Sequence, residues 1–202
     1  MIKAVIFDLD GTLYQSTVIR EKFAEAAYLT LSRFQKITLA DARKLIETRR
    51  DELGKKTGAG VPYTLVLKSF GVTIEFWHRE NINYFDPRKY LSRDERLIES
   101  LVRLKEQYKL AVLTNNNLVQ TERTLEALGI TNLFCRIFTY NTYKLLKPDI
   151  TFFKKAADDL QVIPGECLFV GDRYDVDLEP ALSLGMKIRH VKGPEDIYSL
   201  AV

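Results

Sequence analysis

Asp8 and Asp10 stand two residues apart where the apolar, β-prone run Ala4-Val5-Ile6-Phe7 gives way to Gly11 and Thr12. In extended backbone a spacing of two points both side chains to one side, so both carboxylates emerge together from a strand's end. Like charges this close resist joint ionisation. A cation or a shared proton relieves the repulsion, and both arrangements occur at catalytic sites. Asp and Gly also build ordinary solvated turns, so the pair alone leaves both readings open.

Three later stretches repeat the design of polar groups set against a short apolar run or a helix start. Leu110-Ala111-Val112-Leu113 leads into Thr114-Asn115-Asn116-Asn117; Lys147-Pro148-Asp149 opens a helical pattern; Cys167-Leu168-Phe169-Val170 leads into Gly171-Asp172-Arg173-Tyr174-Asp175-Val176-Asp177. This ordered set resembles the motifs of the haloacid dehalogenase-like hydrolases, a superfamily made up mostly of phosphatases. The resemblance covers nearly the whole chain outside residues 15–90.

The resemblance implies a role for each motif residue. Asp8 is the nucleophile, forming an aspartyl-phosphate that splits one hard step into two. Asp10 protonates the leaving oxygen and later deprotonates the attacking water. Magnesium, which takes hard oxygen ligands, is held by the Asp8 carboxylate, the Asp10 backbone carbonyl and the Asp172 carboxylate. The Thr114 hydroxyl and the Asn115 backbone amide hold phosphate oxygens. Lys147 immediately precedes Pro148, as the family's motif lysine commonly does, and is preferred over Lys144, a solvated loop charge. Asp177 matches the second acidic position, which supports the metal through water or orients its neighbours; Asp175 either binds Lys147 or faces solvent. A phosphate dianion with ionised Asp8 and Asp172 carries about four negative charges, against about three returned by magnesium and Lys147, so a protonated Asp10 is electrostatically reasonable. Dehalogenases of the superfamily lack the second aspartate, so the presence of Asp10 argues against dehalogenation.

Elements that could position these residues are legible in the apolar periodicity. Runs at 3–8, 110–114, 136–139, 167–171 and 187–191 read as strands. Helical patterns lie between them: 93–107, with Leu97, Leu101 and Leu104 on one face; 119–128, ending at Gly129; 150–160; and 178–184, ending at Gly185. Strands alternating with helices imply an α/β, Rossmann-like parallel sheet with helices on both faces, and ligands on such sheets sit beyond the carboxyl ends of the strands. Residues 15–90 break the rhythm with helical segments at 18–33, 38–53, 62–70 and 74–84 and no convincing strand. The expected organisation is a catalytic core, 1–14 and 91–202, with an all-α cap, 15–90, inserted after the first strand. In the family such a cap closes over the active site and helps choose the substrate.

The connection Gly54-Lys55-Lys56-Thr57-Gly58-Ala59-Gly60 superficially resembles a phosphate-binding loop, but Arg49 stands where a Walker A sequence needs glycine and no strand precedes it. It either reads the substrate's leaving group or simply joins two helices. Cap length and this connection are diffusely similar to the pyrimidine 5′-nucleotidase branch, which places nucleoside monophosphates beside phosphoglycolate and sugar phosphates as candidate substrates. Tyr14, Arg49 and Arg50 could contact substrate or serve packing and surface charge.

Composition bounds the rest. The chain has 202 residues, 46% hydrophobic and 28% charged, with a net charge of +3. That suits one core domain with a modest insertion and argues against a nucleic-acid surface. No apolar run approaches the roughly 20 residues of a membrane span. The strand-like N-terminus carries no leader pattern, so cytoplasm is the default expectation. Cys135 and Cys167 adjoin predicted strands and read as small buried apolar residues. His78 and His190 are too far apart in sequence to suggest a zinc site or a serine–histidine triad. The expected function is a magnesium-dependent phosphatase of small phosphorylated metabolites, monomeric or homodimeric. A phosphomutase of the same superfamily and a non-hydrolytic phosphoacceptor module are the alternatives.

Overall fold

The computed structural model describes residues 1–57 and 61–202. In chain order, β1 (Ala4–Phe7) is followed by α1 (Thr17–Gln35), α2 (Leu39–Thr57), α3 (Tyr63–Ser69) and α4 (Ile74–Tyr84). Then come α5 (Glu95–Lys105), β2 (Lys109–Leu113), α6 (Leu118–Leu128), β3 (Arg136–Phe138), α7 (Tyr140–Tyr143) and α8 (Ile150–Asp159). The chain closes with β4 (Cys167–Gly171), α9 (Glu179–Ser183), β5 (Lys187–His190) and α10 (Glu195–Tyr198). It forms two compact units, residues 1–16 with 91–202, and residues 17–90. No helix among the described residues is long and apolar enough to cross a membrane.

The larger unit is built on a parallel five-stranded sheet in the order β3-β2-β1-β4-β5. β1 is central: Phe7 pairs in register with Val112 on one side and Val170 on the other. Ala4 and Ile6 join Ala111, Leu113, Phe138 and Phe169 in a cluster closed by Phe152, Phe153, Ala156 and Ala157 of α8. The alternate residues Val5, Phe7, Leu110 and Val112 are equally buried. Strands covered on both faces need continuous apolar runs rather than alternation, which is how these read in sequence. The β5 edge exposes Lys187 and Arg189, charges that discourage another strand from pairing there.

The connections run from β1 to β2 on one side of β1 and return to β4 on the other. The strand order reverses between β1 and β4, and in open α/β sheets ligands bind beyond the carboxyl ends at such a point. Asp8 follows β1, Thr114 follows β2 and Asp172 follows β4.

The smaller unit has its own apolar core of Ala26, Ala27 and Leu31 from α1, Ala42 and Ile46 from α2, Val66 and Leu67 from α3, and Trp77 from α4. Trp77 satisfies its indole N–H on the Thr64 hydroxyl at 3.1 Å. Thr73 caps α4 by accepting from the Phe76 N–H at 3.2 Å.

Three local expectations are corrected. Helix α2 does not stop near Leu53 but runs through Gly54 to Thr57, because the neighbouring lysines are good helix formers and one interior glycine costs only about 1 kcal/mol. The rest of that connection, 58–60, lies outside the described residues. The helix expected from Leu178 begins earlier, with a π-helical turn over Tyr174–Leu178. Pro180 has no N–H to donate to the turn before it, which favours this wider geometry. Finally, Cys135 is exposed while Cys167 is buried, since β3 is an edge strand paired only to β2.

Candidate active site

The Asp8 N–H donates to the Val170 carbonyl at 2.9 Å, extending the sheet ladder one residue past β1 and fixing the backbone from which the carboxylate projects. The carboxylate is almost fully buried. Its Oδ2 accepts from the Thr12 hydroxyl at 3.3 Å and its Oδ1 from the Lys147 ammonium at 2.5 Å. The chain then turns tightly, with the Leu13 N–H on the Leu9 carbonyl at 3.0 Å. Gly11 sits at φ +96°, and a Cβ there would lie 2.5 Å from Asp172 Oδ2. Only glycine combines that backbone angle with so close an approach between the β1 and β4 loops.

Asp10 has different company. Its Oδ1 accepts from the Tyr14 hydroxyl and its Oδ2 from the Asn116 side-chain amide at 3.5 Å. Both donors are neutral. Burial, only partly offset by the Tyr14 bond, pushes its carboxyl up to about 6.

Lys147 is 2% exposed and bridges Asp8 to Asp177, whose Oδ1 lies 2.6 Å away. Burial alone would favour the neutral amine, but Asp177 and Asp8 together raise its pKa above the ordinary lysine range, so the ammonium stays charged. The remaining oxygen of Asp177 accepts from the Arg173 N–H at 3.2 Å, so both its oxygens are committed. Burial still pushes the Asp177 carboxyl up, against the pull of Lys147.

Asp172 is the odd member. Its Oδ1 is buried without a hydrogen-bond partner. Burial, followed by repulsion from Asp8, pushes its carboxyl up to about 6. Oxygens of Asp8, Asp172 and Asp177 lie within 4.8 Å of one another. An orphaned buried carboxylate oxygen beside a second carboxylate is the donor set of a hard divalent cation. Asp172, with its unpartnered oxygen, is the carboxylate among these three best placed to meet such a cation, and Asp8 and Asp177 lie beside it.

The phosphate-binding candidates sit at the end of β2. Thr114 is buried; its N–H extends the sheet to the Phe138 carbonyl at 3.0 Å, and its hydroxyl accepts from the Asn116 N–H at 3.2 Å. The Asn115 side chain accepts from the Lys147 N–H at 2.6 Å and donates to the Lys147 carbonyl at 2.9 Å. Asn117 caps α6, accepting from the Gln120 N–H at 2.9 Å.

Other candidates lie elsewhere. Lys144 ends α7 at φ +58° with its ammonium over the Tyr140 ring, which leaves Lys147 as the lysine at the carboxylates. Asp175 pairs with Arg173 at 3.0 Å rather than with Lys147. Arg49 and Arg50 belong to the smaller unit, where Arg49 pairs with Glu52 at 3.1 Å and Arg50 donates to the Val61 carbonyl at 3.0 Å. The sequence offered no means of assigning the Asn115, Asn116 and Tyr14 side chains, because each finds its partner only through the tertiary fold or the Gly11 turn. One signal was present: three asparagines in a row directly after a buried strand is more polarity than a simple turn needs.

Comparison with known proteins gives this geometry its context. The family model for haloacid dehalogenase-like hydrolases matches residues 2–185. The chain is 31% identical to glyceraldehyde 3-phosphate phosphatase of Methanopyrus kandleri over 192 residues, covering 92% of this chain and 82% of that one. It is 25% identical to N-acylneuraminate-9-phosphatase of Rattus norvegicus, covering 92% and 80%. Among solved structures, an HAD phosphatase from Thermococcus onnurineus superposes with a TM-score of 0.59 at 25% identity, covering 94% and 86%.

Proposed function

The chain belongs to the haloacid dehalogenase-like hydrolases, and from that premise we propose that it hydrolyses sugar-type phosphate monoesters through an aspartyl-phosphate on Asp8. Its named relatives are phosphatases of small phosphorylated metabolites, and those cited above act on phosphorylated carbohydrates by name. That favours sugar phosphates over nucleoside monophosphates or phosphoglycolate.

The single observation carrying the mechanism is the unlike setting of two carboxylates two residues apart. Asp8 lies 2.5 Å from the Lys147 ammonium, a positive charge set beside the attacking oxygen. Asp10 meets only neutral side-chain donors and its carboxyl is pushed up to about 6, so a proton is available near neutral pH. Neighbouring carboxyl groups whose environments differ in this way divide into nucleophile and acid.

An Asp8 oxygen attacks phosphorus as the bond to the leaving oxygen breaks, and Asp10 delivers its proton to that oxygen. Asp10, now ionised, takes a proton from water as the water attacks the phosphoryl group, and Asp8 is regenerated. Lys147 offsets charge on Asp8 and on the transferring group throughout. The Thr114 hydroxyl and the Asn115 backbone amide would orient the phosphoryl oxygens. Magnesium, held by Asp8, Asp172 and the Asp10 carbonyl, would supply further compensation for the phosphoryl charge. Asp177 accepts from the Lys147 ammonium and the Arg173 N–H, which suits it to orienting the lysine.

The test is phosphate release from triose, hexose and nonulosonate phosphates, phosphoglycolate and nucleoside monophosphates, with magnesium and then with EDTA. Release that vanishes with EDTA, with Asp8→Asn and with Asp10→Asn, and that favours carbohydrate phosphates, is the expected result. Magnesium-independent release, or activity surviving Asp8→Asn, would overturn the mechanism; a preference for nucleotides would overturn the substrate class.

A further inference from the structure

We propose that Asn115 is a positioning residue for Lys147: its side-chain amide fixes the lysine backbone so that the ammonium reaches Asp8 and Asp177. The proposal rests on the phosphatase reading above and gives the Asn115 side chain a role separate from its backbone amide.

Lys147 lies between α7 and α8, in no strand or helix. Both polar groups of its main chain are engaged by one carboxamide, the N–H at 2.6 Å and the carbonyl at 2.9 Å, across 32 residues of sequence. Donor and acceptor of a single planar group on donor and acceptor of a single residue mimic one rung of a β-ladder. Two such bonds fix rotation as well as distance, which one bond cannot do.

The mount is rigid. Immediately before Asn115, the Thr114 N–H is tied to Phe138 at 3.0 Å, and its hydroxyl accepts from the Asn116 N–H at 3.2 Å. The buried sheet therefore dictates where the carboxamide points. At the other end, the ammonium must meet two carboxylate oxygens at 2.5 and 2.6 Å. A lysine stem has many rotamers, and a backbone free to drift would spread its charge over several positions. Misplacement of about 1 Å can cost about 100-fold in rate. The clamp converts a flexible side chain on a loop into a fixed charge.

The test is a double-mutant cycle on phosphate release, with Asn115→Ala, Lys147→Ala and the double variant, all keeping the residue 115 backbone amide. Asn115→Asp, which keeps the acceptor but loses the donor, serves as a second variant should the alanine form fail to fold. In parallel, acetylation of Lys147 by acetic anhydride is followed by peptide mass mapping, a readout independent of activity. Asn115→Ala is expected to lower kcat about 10- to 100-fold with thermal unfolding near that of the wild type. It should cost less than about twofold more once Lys147 is gone, because a residue acting through another has nothing left to position. Lys147 labelling should rise at least about tenfold over the wild type while exposed lysines are unchanged. Equal fold-losses in both backgrounds, or unchanged Lys147 labelling, would overturn the proposal. An inactive wild type would instead overturn the phosphatase reading, and the labelling would still decide the clamp.

Discussion

Asp172 shows how a residue suited to a proposed site can be costly to the fold. Its buried, unpartnered Oδ1 and its carboxyl pushed up to about 6 mean that the ionised form is poorly solvated in the folded protein. Asp172→Asn removes that charge without changing shape. The metal-free variant is therefore expected to melt at or above the wild-type temperature, while the rise in Tm on adding magnesium disappears; differential scanning calorimetry with and without the ion checks both. A large loss of metal-free stability would show that the carboxylate is structural. The types and spacing of Asp8, Asp10, Lys147 and Asp172 were legible because chemistry restricts which residues serve. The partners Tyr14, Asn115 and Asn116 were not, because amide and hydroxyl side chains fit many roles and only the folded geometry selects one.

At the scale of elements, the inner strands could be read as continuous apolar runs buried on both faces, and most helices because each buries an apolar face of fixed period. The ends were harder. Gly54 suggested a break but lies inside α2, where flanking helix formers outweigh one glycine. The π-helical turn depends on a hydrogen bond that Pro180 cannot make, a backbone effect with no apolar signature. Cys135 was misjudged because adjacency to a strand does not say whether that strand is central or at an edge. The cap of α6 gives a quantitative expectation. Asn117 is 1% exposed, and its Oδ1 accepts the Gln120 N–H. Asn117→Ala should cost about 1 kcal/mol by urea titration and lower Tm by about 3 °C. A change below about 0.3 kcal/mol would mean that another acceptor replaces the cap.

At the scale of the molecule, sheet order sets the ends of β1 and β4 side by side with the acidic residues that follow them, so charge and fold stability are linked there. Asp10 and Asp172 both titrate near 6 when folded, against an ordinary value of 3.8. The folded state thus binds more protons than the unfolded state between these values, and metal-free stability from these groups falls as pH rises through about 6. A divalent cation prefers the ionised carboxylates and competes with those protons. The magnesium-induced rise in Tm is accordingly expected to be larger at pH 7.5 than at pH 5; equal shifts would sever the link. The central position of β1 carries one more consequence, in the order of assembly. Ala4 pairs with Lys109 and with Cys167, so β1 gains its second neighbour only when much of the chain after it is in place. The four helices of residues 17–90 close their core through nearer contacts, and local contacts form first. Pulse-labelled hydrogen exchange during refolding should protect α1 and α4 before β1, leaving the strand that carries Asp8 among the last parts of the protein to become itself.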